Sequence, residues 1–192
     1  MAIPVSELQK VSPSSLIELF TLSLDATLHG SSTVYRFHSG ANLNTFGAVV
    51  WAGNTYSKFP VEVTGFEFNG TSTTLPRPKL RISNMLSTFT ALLLDVNQTT
   101  PGNDLNGAKL TRIRTLASNL DAANFSGGSN PFGTPSADKF PDEIYFLDRK
   151  VLENRQFIKY ECVSALDLAN VRVPKRQFTR KDFPGIGTFI DS

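Results

Sequence analysis

The stretch Val49-Val50-Trp51-Ala52-Gly53-Asn54-Thr55-Tyr56-Ser57-Lys58-Phe59-Pro60-Val61-Glu62-Val63-Thr64-Gly65-Phe66-Glu67-Phe68-Asn69-Gly70 decides the fold. It is a hairpin-and-turn signature with a period of two. Phe59, Val61 and Val63 share one face, with Glu62 and Thr64 on the other. Beyond Gly65 the apolar residues Phe66 and Phe68 change parity, and a one-residue phase change at a glycine predicts a bulge or sharp bend there. Unbroken ladder pairing from Val61 to Phe68 would refute it. In Pro76-Arg77-Pro78-Lys79-Leu80-Arg81-Ile82-Ser83-Asn84, Leu80 and Ile82 alternate with Lys79, Arg81 and Ser83 in another half-buried strand. Strands and turns follow from these residues, but no chemistry.

The same period runs through most of the chain. Leu16, Glu18, Phe20, Leu22 and Leu24 alternate with Ile17, Leu19, Thr21 and Ser23, a strand apolar on both faces at its start and on one face later. His29-Gly30-Ser31-Ser32 is the expected turn of a hairpin that returns through Val34-Tyr35-Arg36-Phe37-His38. Pro4 to Val11 reads as a short helix or arm ended at Ser12-Pro13, since the residue before proline leaves the helical region. Met85, Phe89, Leu92, Leu93 and Val96 fall on one helical face, with Ser83 or Asn84 as cap and Pro101-Gly102 as the stop. Gly107 to Leu116 is the next strand, carrying Arg112 and Arg114 on its polar side. Residues 126–136 are turn-formers almost throughout and predict a long exposed loop. A last hairpin pairs Ile144-Tyr145-Phe146-Leu147 with Ile158, Tyr160 and Cys162 about a turn near Glu153-Asn154. Arg172, Lys175, Arg176, Arg180 and Lys181 then lead into Phe183-Pro184-Gly185-Ile186-Gly187, an extended basic exit. The expected organisation is an arm at 1–12, a β-rich domain at 13–171 and an extended segment at 172–192. The fold class is α+β, predominantly antiparallel β of sandwich or barrel-like form, with one or two short helices.

At 192 residues the chain is long enough to bury a core without disulfides or metal. Fifteen Phe against one Trp and two Met point to contacts built on phenylalanine. Nineteen basic and 17 acidic side chains leave +2, too even to imply specific nucleic-acid binding by the chain as a whole. The lone Cys162 excludes a disulfide framework and argues for assembly in a reducing cytosol. No secretory signal or membrane-spanning run is read from the sequence.

The search for chemistry finds little. His29 and His38 are the two imidazoles, in a turn and at a strand end, and read as ordinary surface residues. Cys162, alternating with Tyr160 and Ile158, reads as a buried inert thiol. Asp142, Glu143 and Asp148 are carboxylates by number only, read as solvated loop acids and a strand-end charge. The glycine-rich loop lacks the lysine and the strand-to-helix context of a phosphate cradle. The basic run around Phe178 reads as a solvated rim or partner contact. No catalytic, cofactor or metal residue is assigned, and the chain is read as no enzyme.

An ordered set of segments is similar to the phage minor tail protein L family over nearly the whole length. It comprises Trp51-Ala52-Gly53-Asn54-Thr55-Tyr56 leading to Phe59-Pro60, then Gly65-Phe66-Glu67, then Arg77-Pro78 before Leu80-Arg81-Ile82-Ser83-Asn84. Phe140-Pro141-Asp142-Glu143-Ile144-Tyr145-Phe146-Leu147-Asp148-Arg149-Lys150, Leu166-Asp167-Leu168, Pro174-Lys175-Arg176-Gln177 and Phe183-Pro184-Gly185-Ile186 continue it. The resemblance implies a structural protein of the tail tip of a long-tailed phage. It would join the distal tail protein to the central hub or host-specificity protein, as a homotrimeric ring required for tail assembly and put together in the host cytoplasm. Longer members of the family continue into a cysteine-rich region that holds an iron–sulfur cluster. The matching thiolates are absent here, so no cofactor is expected in this chain, which is read as a short member or the ordered part of a longer one.

On that reading the arm and the tail become the expected interfaces, through Ile3, Val5 and Leu8, and through Arg172, Lys175, Arg176, Phe178, Phe183, Ile186 and Phe189. Two other readings stay open. A receptor- or carbohydrate-binding β module would use exposed Trp51 and Tyr56 as a stacking platform, whereas the structural role buries at least one of them. A tail-associated cell-wall hydrolase would need a pair of the acids above.

Overall fold

The computed structural model describes residues 3–40, 47–67, 75–84, 88–167, 179–181 and 183–185. Its strands are β1 (Leu16–Ser23), β2 (Val34–His38), β3 (Ala48–Trp51), β4 (Asn54–Lys58), β5 (Val61–Thr64), β6 (Lys79–Ser83), β7 (Lys109–Leu116), β8 (Glu143–Glu153) and β9 (Phe157–Val163). Its helices are α1 (Val5–Leu8), α2 (Ala26–His29) and α3 (Thr88–Thr99), with short 3₁₀ turns after β7 and β9. All nine strands join one sheet in the order β3-β4-β2-β1-β7-β8-β9-β6-β5. Every neighbouring pair is antiparallel except β2 with β4, where Phe37 lies beside Ser57 and His38 beside Lys58.

The connection from β4 to β5 shows how this sheet is shaped. Only Phe59 and Pro60 separate the two strands. Seven interstrand steps lie between them in the strand order, which in a flat sheet, at about 4.8 Å per step, would hold them roughly 34 Å apart. Three Cα–Cα steps reach about 11 Å at most. The sheet therefore curls until its ends approach, as a barrel-like wall does.

The alternation read from the sequence sorts side chains onto the two faces of that wall. Phe20, Leu22 and Leu24 join Phe37, Val61, Leu80, Ile82, Leu110, Leu147, Ile158, Tyr160 and Cys162 in the larger core. Leu93 and Val96 of α3 pack into the same core, so the helix closes it. Ile17 and Leu19, on the opposite face of β1, meet Val49, Trp51, Tyr56 and Ile113 in a smaller one. That explains why β1 needs apolar residues at both parities at its start. Burying a side chain of this size contributes about 1.5–3 kcal/mol.

The expected break at Gly65 is present. The β5–β6 ladder ends at Thr64 with Lys79, and Gly65 takes φ +86°, a region that a Cβ disfavours. The turn lets Phe66 fold back on the Tyr145 ring, centroids 5.5 Å apart. Phe68 lies outside the described residues.

Local expectations are corrected or sharpened at several places. The turn placed at His29–Ser32 is a helical one, α2, because the Asp25 carboxylate accepts from the Thr27 and Leu28 N–H groups and Gly30 ends the helix at φ +70°. The arm helix stops at Leu8, well short of Val11. The loop at 126–136 is exposed yet fastened: the Asn130 side chain donates to the Ala117, Ser118 and Leu120 carbonyls at 2.9–3.0 Å. Asn84, with Ser83 a candidate cap, ties α3 to the β8–β9 turn by donating to Thr90 Oγ1 and the Asn154 carbonyl, and residues 85–87 at the start of the helix lie outside the described residues. Met85 lies outside the described residues.

Candidate interaction surfaces

Among the residues expected to make contacts, Ile3 and Val5 are 50% and 54% exposed, and Phe183 is 42% exposed. Pro4 between them is buried, so the arm is seated while its apolar side chains face outward. Ser14 and Ser15 hold its far end, through a Ser14–Ser118 hydroxyl contact of 3.1 Å and the Ala117 N–H donating to the Ser15 carbonyl. Leu8 lies in α1, and its side chain is not among those described. Arg172, Lys175, Arg176, Phe178, Ile186 and Phe189 fall outside the described residues.

Both histidines correct the surface reading, since each is 2% exposed. Each ring satisfies two backbone groups. His29 accepts from the Asp25 N–H at Nδ1 and meets the Asn106 carbonyl through Nε2. His38 accepts from the Gly40 N–H and meets the Gly47 carbonyl. A neutral imidazole protonated at Nε2 fits both pairs. Burial lowers the pKa of His38, and the nearby Lys58 adds to the effect against the Gly47 carbonyl bond. Periodicity places these residues but says nothing of which backbone groups they meet.

Trp51 and Tyr56 are 3% and 2% exposed, with the indole N–H donating to the Ser136 carbonyl at 3.2 Å. They are core residues and leave no stacking platform at this hairpin. Cys162 is fully buried, and burial pushes its thiol up to about 12, as an inert cysteine requires.

Glu143 is not a loop acid. It opens β8 and binds Arg112 at 3.0 Å and Arg114 at 2.7 Å, while Arg112 also bonds Glu18. Burial works against the charge of Arg112, but its hydrogen bonds to the two glutamates outweigh this and raise its pKa. The Phe66 ring stacks 4.3 Å from that guanidinium. Asp142 is held by Lys139 at 2.5 Å. Asp142 and Glu143 are thus paired with cations, and among the described residues no cluster of three or more His, Cys, Asp or Glu is placed to hold a metal. No described helix is long and apolar enough to cross a membrane.

The outer face of β5, β6, β8 and β9 carries the densest charge. Glu161 receives Arg149 at 2.7 Å and Arg77 at 3.4 Å, and these hydrogen bonds, Arg149 first, lower its pKa. Arg81 lies over the Phe157 ring at 4.1 Å and reaches Glu62 at 3.4 Å. Beside them a cleft of about 340 Å³ crosses the starts of β5 and β9 and the end of β6, lined by Ser39, Pro60, Val61, Glu62, Arg81 and Phe157 among others. The sequence offered no sign of it, because Ser39 and Glu62 meet only through the curl of the sheet.

The chain matches the phage minor tail protein L family over residues 27–184. It is also 33% identical over 90 residues to the tail tip protein L of Escherichia phage lambda. That similarity covers 47% of this chain and 35% of the relative, so the chain spans well under two thirds of the relative's length. With most of its length matched, the chain belongs to the phage minor tail protein L family.

Proposed function

We propose that the protein is a structural component of the tail tip of a long-tailed phage, joining the distal tail protein to the central hub or host-specificity protein. The carrying observation is the family match over residues 27–184, which includes the whole sheet from β2 onward. The lambda relative's designation as a tail tip protein supports the same location in the virion. A non-enzymatic role agrees with the pairing of Asp142 and Glu143 with cations and with a thiol sealed in the core. On this reading copies close into a homotrimeric ring whose contacts are heterologous, one face of each copy against a different face of the next. The arm with Ile3 and Val5, and the segment that includes Phe183, supply those contacts, since exposed apolar side chains on seated backbone suit an interface.

Electron microscopy of particles grown with an early stop codon in the gene tests this. Absent or tipless tails are expected. Complete tails that merely fail to adsorb or to digest the wall would make the protein a binding or enzymatic accessory.

A further inference from the structure

The two edges of the sheet differ in their hydrogen bonding, and register shows how. The Ser83 N–H donates to the Pro60 carbonyl, so Pro60, Glu62 and Thr64 are the residues of this strand that bond β6. On its other side β6 bonds β9 through alternate residues, fixed by Asn84 N–H to the Gln156 carbonyl and Cys162 N–H to the Pro78 carbonyl. The N–H and C=O groups of Val61 and Val63 therefore point away from β6, to the edge of the sheet. Among the described residues nothing bonds them. A cleft of about 340 Å³ touches this edge only at its start, at Pro60, Val61 and Glu62, and continues over Arg81, Ser83, Gln156 and Phe157.

We infer that β5 is a strand-addition site, at which an extended segment of a different protein pairs with Val61 and Val63. This rests on register and does not depend on the tail-tip reading. The side chains of β5 define the segment. Val61 is buried and Val63 half-buried toward the larger core, so the incoming strand places apolar residues beside them. Glu62 faces outward between them, so the residue opposite it is a lysine or arginine, because like charges directly opposite destabilise a pair. Apolar-basic-apolar is the required pattern.

The β5 strand of a second copy is a poorer occupant. The antiparallel register that engages both Val61 and Val63 in each copy sets Glu62 against Glu62. Shifting it one way brings in Gly65, where the backbone turns away at φ +86°. The other shift needs the N–H of Phe59, which already donates to the His38 carbonyl at 3.0 Å.

Fluorescence anisotropy on the 192-residue chain tests this, with a labelled peptide alternating valine and lysine and its glutamate counterpart. The wild-type chain should bind the lysine peptide saturably and about threefold to tenfold more tightly than the glutamate peptide. Val63→Pro removes an outward N–H that β6 does not use, a change edge strands accept, and should weaken binding at least about tenfold. Should that variant fail to fold, Glu62→Lys decides, since it alters only an exposed pair worth little to stability and should reverse the peptide preference. Absence of saturable binding, or a preference unchanged by Glu62→Lys, overturns the inference. So does a wild-type dimer in sedimentation that Val63→Pro converts to monomer, which would make the occupant a second copy.

Discussion

The sheet ends in two strands of four residues each, β3 and β5, and the protein treats them in opposite ways. At β3 the outward groups of Val50 are closed by side chain and loop. The Asn124 amide accepts from the Val50 N–H at 2.7 Å and donates to its carbonyl at 2.6 Å, imitating a neighbouring strand. Asp121 completes the closure by accepting from the Ala52 and Gly53 N–H groups at the tip of the hairpin. Among the described residues, the equivalent groups of Val61 and Val63 in β5 meet no such residue. One edge is closed by Asn124 and Asp121 while the other is left open, and an open edge is a template for pairing with another strand.

Amide exchange should give the largest contrast. The N–H groups of Val61 and Val63 should exchange about a thousandfold or more faster than those of Val50, Glu62 and Thr64, since open edges exchange without unfolding and ladder amides need an opening event. Equal protection along β5 would erase the difference between the two edges. Opening the closed edge comes next. Asn124→Ala strips partners from both backbone groups of Val50 and should cost about 2–3 kcal/mol in urea unfolding, with new self-association in sedimentation. A loss no larger than that of an ordinary surface substitution would mean that the imitation of a strand matters little.

Acidification should act through His38, which holds the Gly40 N–H and the Gly47 carbonyl. Its folded pKa lies below the ordinary 6.5, so the unfolded chain takes up the proton first. The stability it contributes is present above about pH 6.5, falls as pH drops below that value, and stops falling below the folded pKa. His38→Asn should remove that part of the pH dependence of urea unfolding, and an unchanged slope would exclude this ring as its source. The smallest effect belongs to the β3–β4 turn, where Ala52 sits at φ +49° before Gly53 at +73°. Ala52→Gly relieves that conformation, and with the added freedom of the unfolded chain set against it the gain should be about 0.5 kcal/mol by thermal melting.

Much of this architecture could be read from residues alone. Alternation located β1, β6, β7 and the β8–β9 hairpin to within a few residues, and the phase change at Gly65 marked a real turn. The spacing of Leu92, Leu93 and Val96 found α3. What stayed hidden depends on distant partners. The parallel neighbours β2 and β4 and the position of β5 at the edge follow from pairings across long stretches of chain, and no local pattern encodes them. His29 and His38 looked like surface residues because a polar side chain does not announce which backbone groups will satisfy it. The short helix after Pro4 was legible, though not its end at Leu8. The open edge was not, since Val61-Glu62-Val63 reads the same in a strand with two neighbours or with one.

The short connection through Phe59 and Pro60 has a consequence for how the chain folds. Its flanking strands are close in sequence but belong to opposite ends of the ladder, so β5 gains no lasting support from the hairpin that precedes it. It must wait for β6, and β6 in turn for β9, which is made almost a hundred residues later. Closure of the wall is therefore a late, non-local event, of the kind that makes folding slow. Until β6 and β9 are both in place, β5 has no lasting neighbour in the sheet.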